Sequence, residues 1–298
     1  MKKVMLFSHS DLDGVGCVIV GKKVFGEKLD FQMLGYHQIN ESVEQFIKNN
    51  DYKGYDEVYI TDISVSEDVG ELLEGIKGEI KVTLIDHHVD ALKLNKYSWS
   101  KVITKNEKGK TSGTSLFFNL LKEEYSVLNE LEEFVEKVRR YDSWEWNDIY
   151  NDFEAKKLND YYYLIGRKRF VERYLDFSTP LFNEMENLLM EIEYEKMNDY
   201  VKWKLGNVRI VKFEEKKIGV VLNEQYPNEV ASAILDSKLH IDLVALVNGV
   251  SGGVSLRSKE DGVNLIANQF GGGGHPRASG FGLSEDKKKK MINLVFQS

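Results

Sequence analysis

Residues 3–17 read KVMLFSHSDLDGVGC, a short apolar run followed at once by one histidine and two aspartates. The apolar run predicts a buried first strand over Lys3–Phe7, and the pattern after Gly14 predicts a helix that extends to Phe25. His9, Asp11 and Asp13 would therefore lie near the point where the strand ends. Because ligands of parallel sheets bind beyond the carboxyl ends of the strands, this turn is a candidate functional site.

The alternation of strand and helix continues along the first half of the chain. Further strands are predicted at 29–36, 57–60 and 80–85, and further helices at 41–48, 67–76 and 112–140. This order predicts an α/β fold with a doubly wound, mostly parallel sheet that carries helices on both faces. Asp62 lies just after the third predicted strand. Asp86, His87 and His88 come directly after the fourth.

The second half changes character twice. Residues 153–204 predict helices interrupted at Pro180, and strand patterns return after Gly206, at 208–213, 217–222, 241–247 and 252–257. Two more helices are predicted near 228–237 and 262–270. We therefore expect a first domain at 1–180, a helical linker at 181–205 and a smaller C-terminal α/β domain at 206–298.

Composition restricts the function. The chain has 298 residues, a net charge of −8 and one cysteine, Cys17. One cysteine excludes intramolecular disulfides and a cysteine-based zinc cage. A protein that binds long nucleic-acid duplexes usually has a positive net charge. Because this chain is acidic, a phosphate-containing ligand would have to be short or be bound through metal cations. No apolar run approaches the roughly 20 residues that span a bilayer, so we expect a cytoplasmic protein with no membrane partner.

The acidic and histidine residues at the predicted strand ends indicate a metal site. Several carboxylates at one place repel each other, and bound cations remove that repulsion. Carboxylate and imidazole ligands without thiolate suit a borderline ion such as Mn²⁺. Two such ions about 3.5–4 Å apart are the usual device for displacement at phosphorus. A single aspartate after a strand is more often a helix cap or a turn residue, and only the joint occurrence favours the metal site.

The motifs SHSDLDGVGC, TDIS, DHH and YDSW, in this order, resemble those of the DHH phosphoesterase superfamily over residues 1 to about 150. The resemblance implies two metal ions, Mn²⁺ first and Mg²⁺ or Co²⁺ as alternatives. It implies one ion on His9, Asp11 and Asp62. The other would be held by Asp13, Asp62, His87 and Asp142, so that Asp62 bridges the two.

The same resemblance assigns two residues that are not metal ligands. Asp86 would orient its neighbours, and His88 would contact the phosphate that is cleaved. The nucleophile would be a water or hydroxide that bridges the metals, without a covalent enzyme intermediate.

A glycine run marks the C-terminal domain. Residues 271–280 read GGGGHPRASG and resemble the GGGGH motif of the DHHA1 domain, while Ser255–Ser258 (SLRS) resembles a second element of it. Consecutive glycines let backbone N–H groups approach an anion, although such a run is also typical of a flexible loop. Arg257 is equally compatible with an ordinary surface residue. The predicted substrate-binding residues are Arg257, Gly272, Gly273, Gly274, His275 and Arg277.

Within the superfamily, the amino-acid sequences of these motifs are most similar to those of bacterial nanoRNases of the B type. That resemblance implies hydrolysis of short single-stranded RNA, with DNA as an alternative, to nucleoside monophosphates. Hydrolysis of linear or cyclic dinucleotides, or of adenosine 3′,5′-bisphosphate, stays open, as does an inactive nucleotide-binding module. A homodimer is also left open.

Overall fold

The computed structural model describes residues 2–176 and 181–293, and the chain divides into two compact units, Met1–Glu186 and Asn187–Ser298. Pro180, where a break between helices was predicted, lies outside the described residues, as does the predicted domain boundary at 180. A helix of 22 residues, Glu184–Leu205, occupies most of the predicted linker. None of the helices in the described ranges is long and apolar enough to cross a membrane.

The first unit alternates strands and helices as predicted. Its strands are β1 (Val4–His9), β2 (Leu29–Leu34), β3 (Glu57–Thr61), β4 (Lys81–Asp86), β5 (Ser100–Val102), β6 (Lys105–Asn106) and β7 (Gly109–Lys110). Its helices are α1 (Leu12–Phe25), α2 (Ile39–Lys48), α3 (Glu67–Ile76), α4 (Gly113–Lys122), α5 (Glu132–Asp142), α6 (Glu145–Asp148), α7 (Phe153–Ile165) and α8 (Arg167–Leu175).

The main sheet of this unit has the order β2-β1-β3-β4-β5, and every pairing in it is parallel. The order reverses between β1 and β3, because the chain runs from β1 to β2 at one edge of the sheet and then returns to form β3 on the other side of β1. A crevice forms at the carboxyl ends of two strands that diverge in this way. This topology decides where the functional side chains meet.

Both faces of the main sheet are covered, which confirms the doubly wound architecture. One face packs α2 and α3 through Val43, Phe46 and Leu73 against Phe7 and Ile60. The buried helix α1 and helix α4 cover the other face. Apolar side chains on both faces explain why β1 and β3 read as near-continuous apolar runs in the sequence.

The helical pattern at 112–140 forms two helices with a break that was not predicted, because α4 ends at Lys122 and α5 begins at Glu132. Tyr125 adopts an extended backbone conformation between them, and a 3-10 turn follows over Ser126–Leu131. Leu128 and Leu131 of that turn are fully buried, so the break lets the chain change direction while it keeps its apolar residues in the core. Strands β5, β6 and β7 were too short to be predicted.

The second unit begins in α9 (Glu184–Leu205). Its strands are β8 (Arg209–Phe213), β9 (Lys216–Leu222), β10 (Leu243–Val247), β11 (Gly253–Arg257), β12 (Gly273–His275) and β13 (Ala278–Gly282), and its helices are α10 (Pro227–Leu235), α11 (Val263–Gln269) and α12 (Glu285–Asn293). The sheet has the order β12-β13-β11-β10-β9-β8, and β9–β10 is its parallel pair. Helix α10 covers one face and α11 the other.

Candidate metal centre and active site

The first unit brings together all eight residues predicted for the metal centre and its chemistry. Strand ends supply most of them, because β1, β3 and β4 all point their carboxyl ends to one edge. Asp13 comes from the first turn of α1, and Asp142 is the last residue of α5. The set consists of His9, Asp11, Asp13, Asp62, Asp86, His87, His88 and Asp142.

Asp62 lies at the middle of this constellation, in a backbone conformation that few residues other than glycine adopt. Its φ is 58°, in the left-handed region, where a non-glycine residue is strained. The Asp62 amide donates to the Ile85 carbonyl at 3.0 Å, which ties the end of β3 to the end of β4. The strain therefore accompanies a turn that directs the Asp62 carboxylate toward the other ligand candidates.

Two groups of potential ligand atoms share Asp62. His9, Asp11 and Asp62 form the first group, with His9 Nδ1 2.8 Å from Asp11 Oδ2 and 3.9 Å from Asp62 Oδ2. His87 Nε2 centres the second group, 3.2 Å from Asp62 Oδ1, 3.7 Å from Asp13 Oδ2 and 3.4 Å from Asp142 Oδ2. The two oxygens of Asp62 thus face different groups, as a bridging carboxylate requires.

The electrostatics of the buried aspartates favour bound cations. Burial and the charges of Asp13, Asp11 and Asp142 raise the pKa of Asp62 well above its usual value. Burial, with the charges of Asp13 and Asp11, does the same to the pKa of Asp142. Within the described residues, neither Asp62 Oδ2 nor Asp142 Oδ2 has a hydrogen-bond partner, although both atoms are buried. Divalent cations would compensate both the repulsion and the missing partners.

The imidazole of His87 is suited to coordinate a metal ion. Burial lowers its pKa despite the neighbouring carboxylates, so the ring stays neutral and can offer a nitrogen lone pair. Four carboxylates and two imidazoles, without a thiolate, suit ions such as Mn²⁺ or Mg²⁺. The residues present therefore fit a pair of divalent cations.

Helix α4 holds Asp13 in place. The backbone N–H groups of Gly113 and Thr114 donate to the two carboxylate oxygens of Asp13 at 2.5 and 2.9 Å. The positive end of a helix stabilises a carboxylate at that position. A Cβ atom on Gly113 would lie 2.4 Å from the Asp62 Cβ, so only glycine lets α4 approach this closely.

Asp86 and His88 form a separate pair beside the metal ligands. Asp86 Oδ1 contacts His88 Nδ1 at 2.7 Å and accepts from the His87 amide at 2.7 Å, while Ser64 Oγ donates to Asp86 Oδ2. Asp86 thus orients the DHH turn through both of its oxygens. The hydrogen bond to Asp86 raises the pKa of His88 in spite of partial burial, so the ring retains its proton to higher pH.

Sequence reasoning missed four residues of this site. Tyr36 contacts His88 Nε2 through its hydroxyl at 3.2 Å, and its ring lies 4.8 Å from that of His9. It follows β2, so the rule that ligands bind at strand ends could have indicated it. Ser64, Gly113 and Thr114 act by holding aspartates, and only the tertiary contacts reveal that role.

In the second unit, Arg257 and His275 lie in one row of the sheet. Ala278 of β13 is paired with Arg257 on one side and with His275 on the other. Residues directly opposite each other in antiparallel strands share a face, so both side chains rise from the same face with a small alanine between them. The Arg257 guanidinium donates to Asn228 Oδ1 at 3.3 Å and to the Leu256 carbonyl at 3.0 Å.

Part of the glycine run forms an edge strand, so the alternative of a flexible loop does not describe that part. Gly273, Gly274 and His275 form β12, and a Cβ atom on Gly272 would lie 2.1 Å from the Gly280 carbonyl oxygen. A side chain at Gly272 would therefore collide with β13, so packing alone already requires glycine at this position. Arg277 is exposed, and its Nε donates to Asp261 at 2.7 Å.

Comparison with known proteins identifies the family. Residues 3–139 match the DHH family, N-terminal domain, and residues 212–298 match the DHHA1 domain. The chain is 35% identical to oligoribonuclease NrnB of Bacillus subtilis (strain 168), over 98% of this chain and 76% of that protein. The chain belongs to the DHH family. It is a phosphodiesterase of the nuclease type, which confirms the recognition and the enzyme class predicted from its motifs.

Two solved structures share the fold. The pGpG-specific phosphodiesterase PggH from Vibrio cholerae superposes with a TM-score of 0.56 at 14% identity, over 98% of this chain and 97% of that one. Exonuclease RecJ bound to manganese gives a TM-score of 0.53 at 18% identity, over 98% and 88% of the two chains. At such identities the likeness concerns the fold alone.

Proposed function

We propose that this DHH enzyme is a two-metal phosphodiesterase that hydrolyses short oligoribonucleotides to nucleoside monophosphates. The observation that carries the proposal is the shared carboxylate of Asp62. Its Oδ2 atom faces His9, its Oδ1 atom lies 3.2 Å from His87 Nε2, and both sides are completed by further aspartates. Two ligand groups joined by one carboxylate suit a metal pair, and the metal proposed is Mn²⁺.

The chain's own residues position and stabilise the reacting groups. A bound metal pair supplies an activated water and neutralises charge on the phosphate. The metal ligands are proposed to be His9, Asp11, Asp13, Asp62, His87 and Asp142. Helix α4 holds the Asp13 carboxylate and the turn at Asp62 holds its own carboxylate in place, and catalysis by preorganised charge requires such fixed positions.

His88 is proposed to contact the phosphate that is cleaved. Asp86 fixes its Nδ1, so its Nε2 faces away from Asp86 and can donate to a phosphate oxygen. The raised pKa of His88 keeps this donor protonated closer to neutral pH. A donor that meets the phosphate where charge develops contributes to transition-state stabilisation.

The proposed substrate is short for two reasons. The relative at 35% identity is an oligoribonuclease. The net charge of −8 also disfavours a long polyanion, whereas a few phosphates can be held locally. In the second unit, Arg257 and His275 flank a floor of small residues on one sheet face and are proposed to bind the nucleotide with the 272–274 glycines and Arg277.

The test is hydrolysis of end-labelled RNA from two to about twenty-four nucleotides, with Mn²⁺ and with chelator. We expect metal-dependent release of mononucleotides, fastest on the shortest oligomers. Asp13→Ala should abolish turnover without unfolding the protein, because it removes a metal ligand, whereas Asp68→Ala, which changes an exposed aspartate on α3, should leave turnover unchanged. A cyclic dinucleotide and adenosine 3′,5′-bisphosphate run alongside, and preference for either would replace the proposed substrate. Tight binding without turnover would indicate an inactive module.

A further inference from the structure

A cavity of about 780 Å³ lies in the first unit, outside the metal centre. Its walls come from α1, the start of β2 and the turn between α7 and α8. The residues that matter for its chemistry are Lys22, Phe31, Tyr163, Arg167 and Lys168. This volume is in the range of about 300–1,000 Å³ that is typical of small-molecule sites.

The cavity opens beside the metal ligands. Ser10, which also lines it, is the residue between His9 and Asp11. The Tyr162 hydroxyl donates to the Ser10 carbonyl at 2.9 Å, so α7 is fixed against the loop that carries both ligands.

The cations of the cavity are poorly neutralised. In the described parts of the chain, no carboxylate oxygen lies within 4.0 Å of the side-chain nitrogens of Lys22 or Arg167, although acidic residues outnumber basic ones overall. Lys168 lies 3.9 Å from Glu172, and both side chains are exposed. Glu27 is the other carboxylate on the wall. Exposed contacts of this kind contribute little, so the positive charge is available to an anion.

Aromatic rings stand beside these cations. Lys22 Nζ lies 5.4 Å from the centre of the Phe31 ring, and the Tyr163 ring lies 5.0 Å from that of the buried Tyr162. Tyr163 itself is 65% exposed, so its ring is accessible to a ligand. Positive charge with exposed aromatic faces is the combination that binds single-stranded nucleic acid.

We propose that this cavity binds one nucleotide of the substrate, the one adjacent to the phosphate that is cleaved. Its phosphate contacts Lys22 and Arg167, and its base stacks on Tyr163 or Phe31. This inference rests on the proposed function, because it assigns a second position to the same oligonucleotide. It also gives a physical basis for a minimum substrate of two nucleotides.

The test compares Arg167→Ala with Arg169→Ala. Both remove one exposed arginine from the first turn of α8, but only Arg167 lines the cavity. With the dinucleotide pApA and Mn²⁺, we expect Arg167→Ala to raise KM about tenfold, the usual loss for one charge-assisted hydrogen bond, with little change in kcat. Arg169→Ala should leave both constants near those of the unsubstituted chain. Equal effects of the two substitutions, or no effect of either, would overturn the inference.

A second pair tests stacking, and a binding measurement separates this inference from the proposed function. Tyr163→Phe should retain the KM of the unsubstituted chain, while Tyr163→Ala should raise it; equal values would contradict stacking. Binding of pApA in chelator, measured by calorimetry, should weaken in Arg167→Ala and not in Arg169→Ala. If oligonucleotides are not hydrolysed but binding follows this pattern, the proposed function fails and the cavity assignment stands. If hydrolysis occurs while KM and binding ignore Arg167, the cavity assignment fails.

Discussion

Replacing Gly113 by alanine should disable the metal centre without removing a ligand. The new Cβ would lie 2.4 Å from the Asp62 Cβ and 2.8 Å from its Cα, whereas carbon atoms in contact are about 3.5–4.0 Å apart. The start of α4 and the Asp62 turn must therefore separate by at least about 1 Å. Neither backbone can yield cheaply, because both are buried and hydrogen-bonded.

That displacement acts on two carboxylates at once. The amides of Gly113 and Thr114 donate to Asp13 at 2.5 and 2.9 Å, and a shift of about 1 Å takes both bonds beyond the ordinary hydrogen-bonding range. Overpacking of this kind destabilises by about 1–3 kcal/mol. A misplacement of about 1 Å in an active site reduces the rate by roughly a hundredfold.

The assay combines thermal melts in chelator with kcat/KM on a short RNA in Mn²⁺. Gly75→Ala is the matched control, because Gly75 lies on the exposed side of α3 with nothing within 4 Å of its added Cβ. It should stabilise the protein by about 0.5–1 kcal/mol and leave activity unchanged. If Gly113→Ala melts and turns over like Gly75→Ala, the explanation of how α4 holds the site is wrong.

Three further predictions concern individual side chains. Asp62→Asn removes one of several buried carboxylates that repel each other, so in chelator it should raise the melting temperature by about 2–4 °C, on the order of 1 kcal/mol. The same substitution should abolish the stabilisation that Mn²⁺ gives to the unsubstituted chain. If the Mn²⁺-dependent rise in melting temperature were unchanged, Asp62 would not be a metal ligand. Arg257→Ala should raise KM for short RNA by about tenfold, while Arg209→Ala, an exposed arginine on β8, should not, and equal KM values would remove Arg257 from the substrate site. Tyr36→Phe deletes the hydroxyl that contacts His88, so kcat should fall while the Mn²⁺-dependent melt stays the same; a change in the melt instead would place Tyr36 among the groups that support the metals.

The sequence alone was sufficient to predict the fold class and the family. The apolar runs before His9, Asp62 and Asp86 predicted strands whose carboxyl ends carry polar groups. These runs are recognisable in the sequence because strands that are buried on both faces consist almost entirely of apolar residues. The motifs around these residues decided the family, which the comparisons confirm. The metal ligands themselves stay predictions, which the geometry supports.

The tertiary structure decided what holds and surrounds those residues. Gly113, Thr114 and Ser64 act on aspartates that are distant in the chain or on another element, so no local pattern indicates them. The break between α4 and α5 was missed because its buried leucines continue the apolar pattern. The sequence left open whether the glycine run is a flexible loop, because it does not show how closely β12 and β13 approach. Periodicity reports which face of an element is apolar, whereas contacts between elements depend on how the faces pack, and that is determined only in three dimensions.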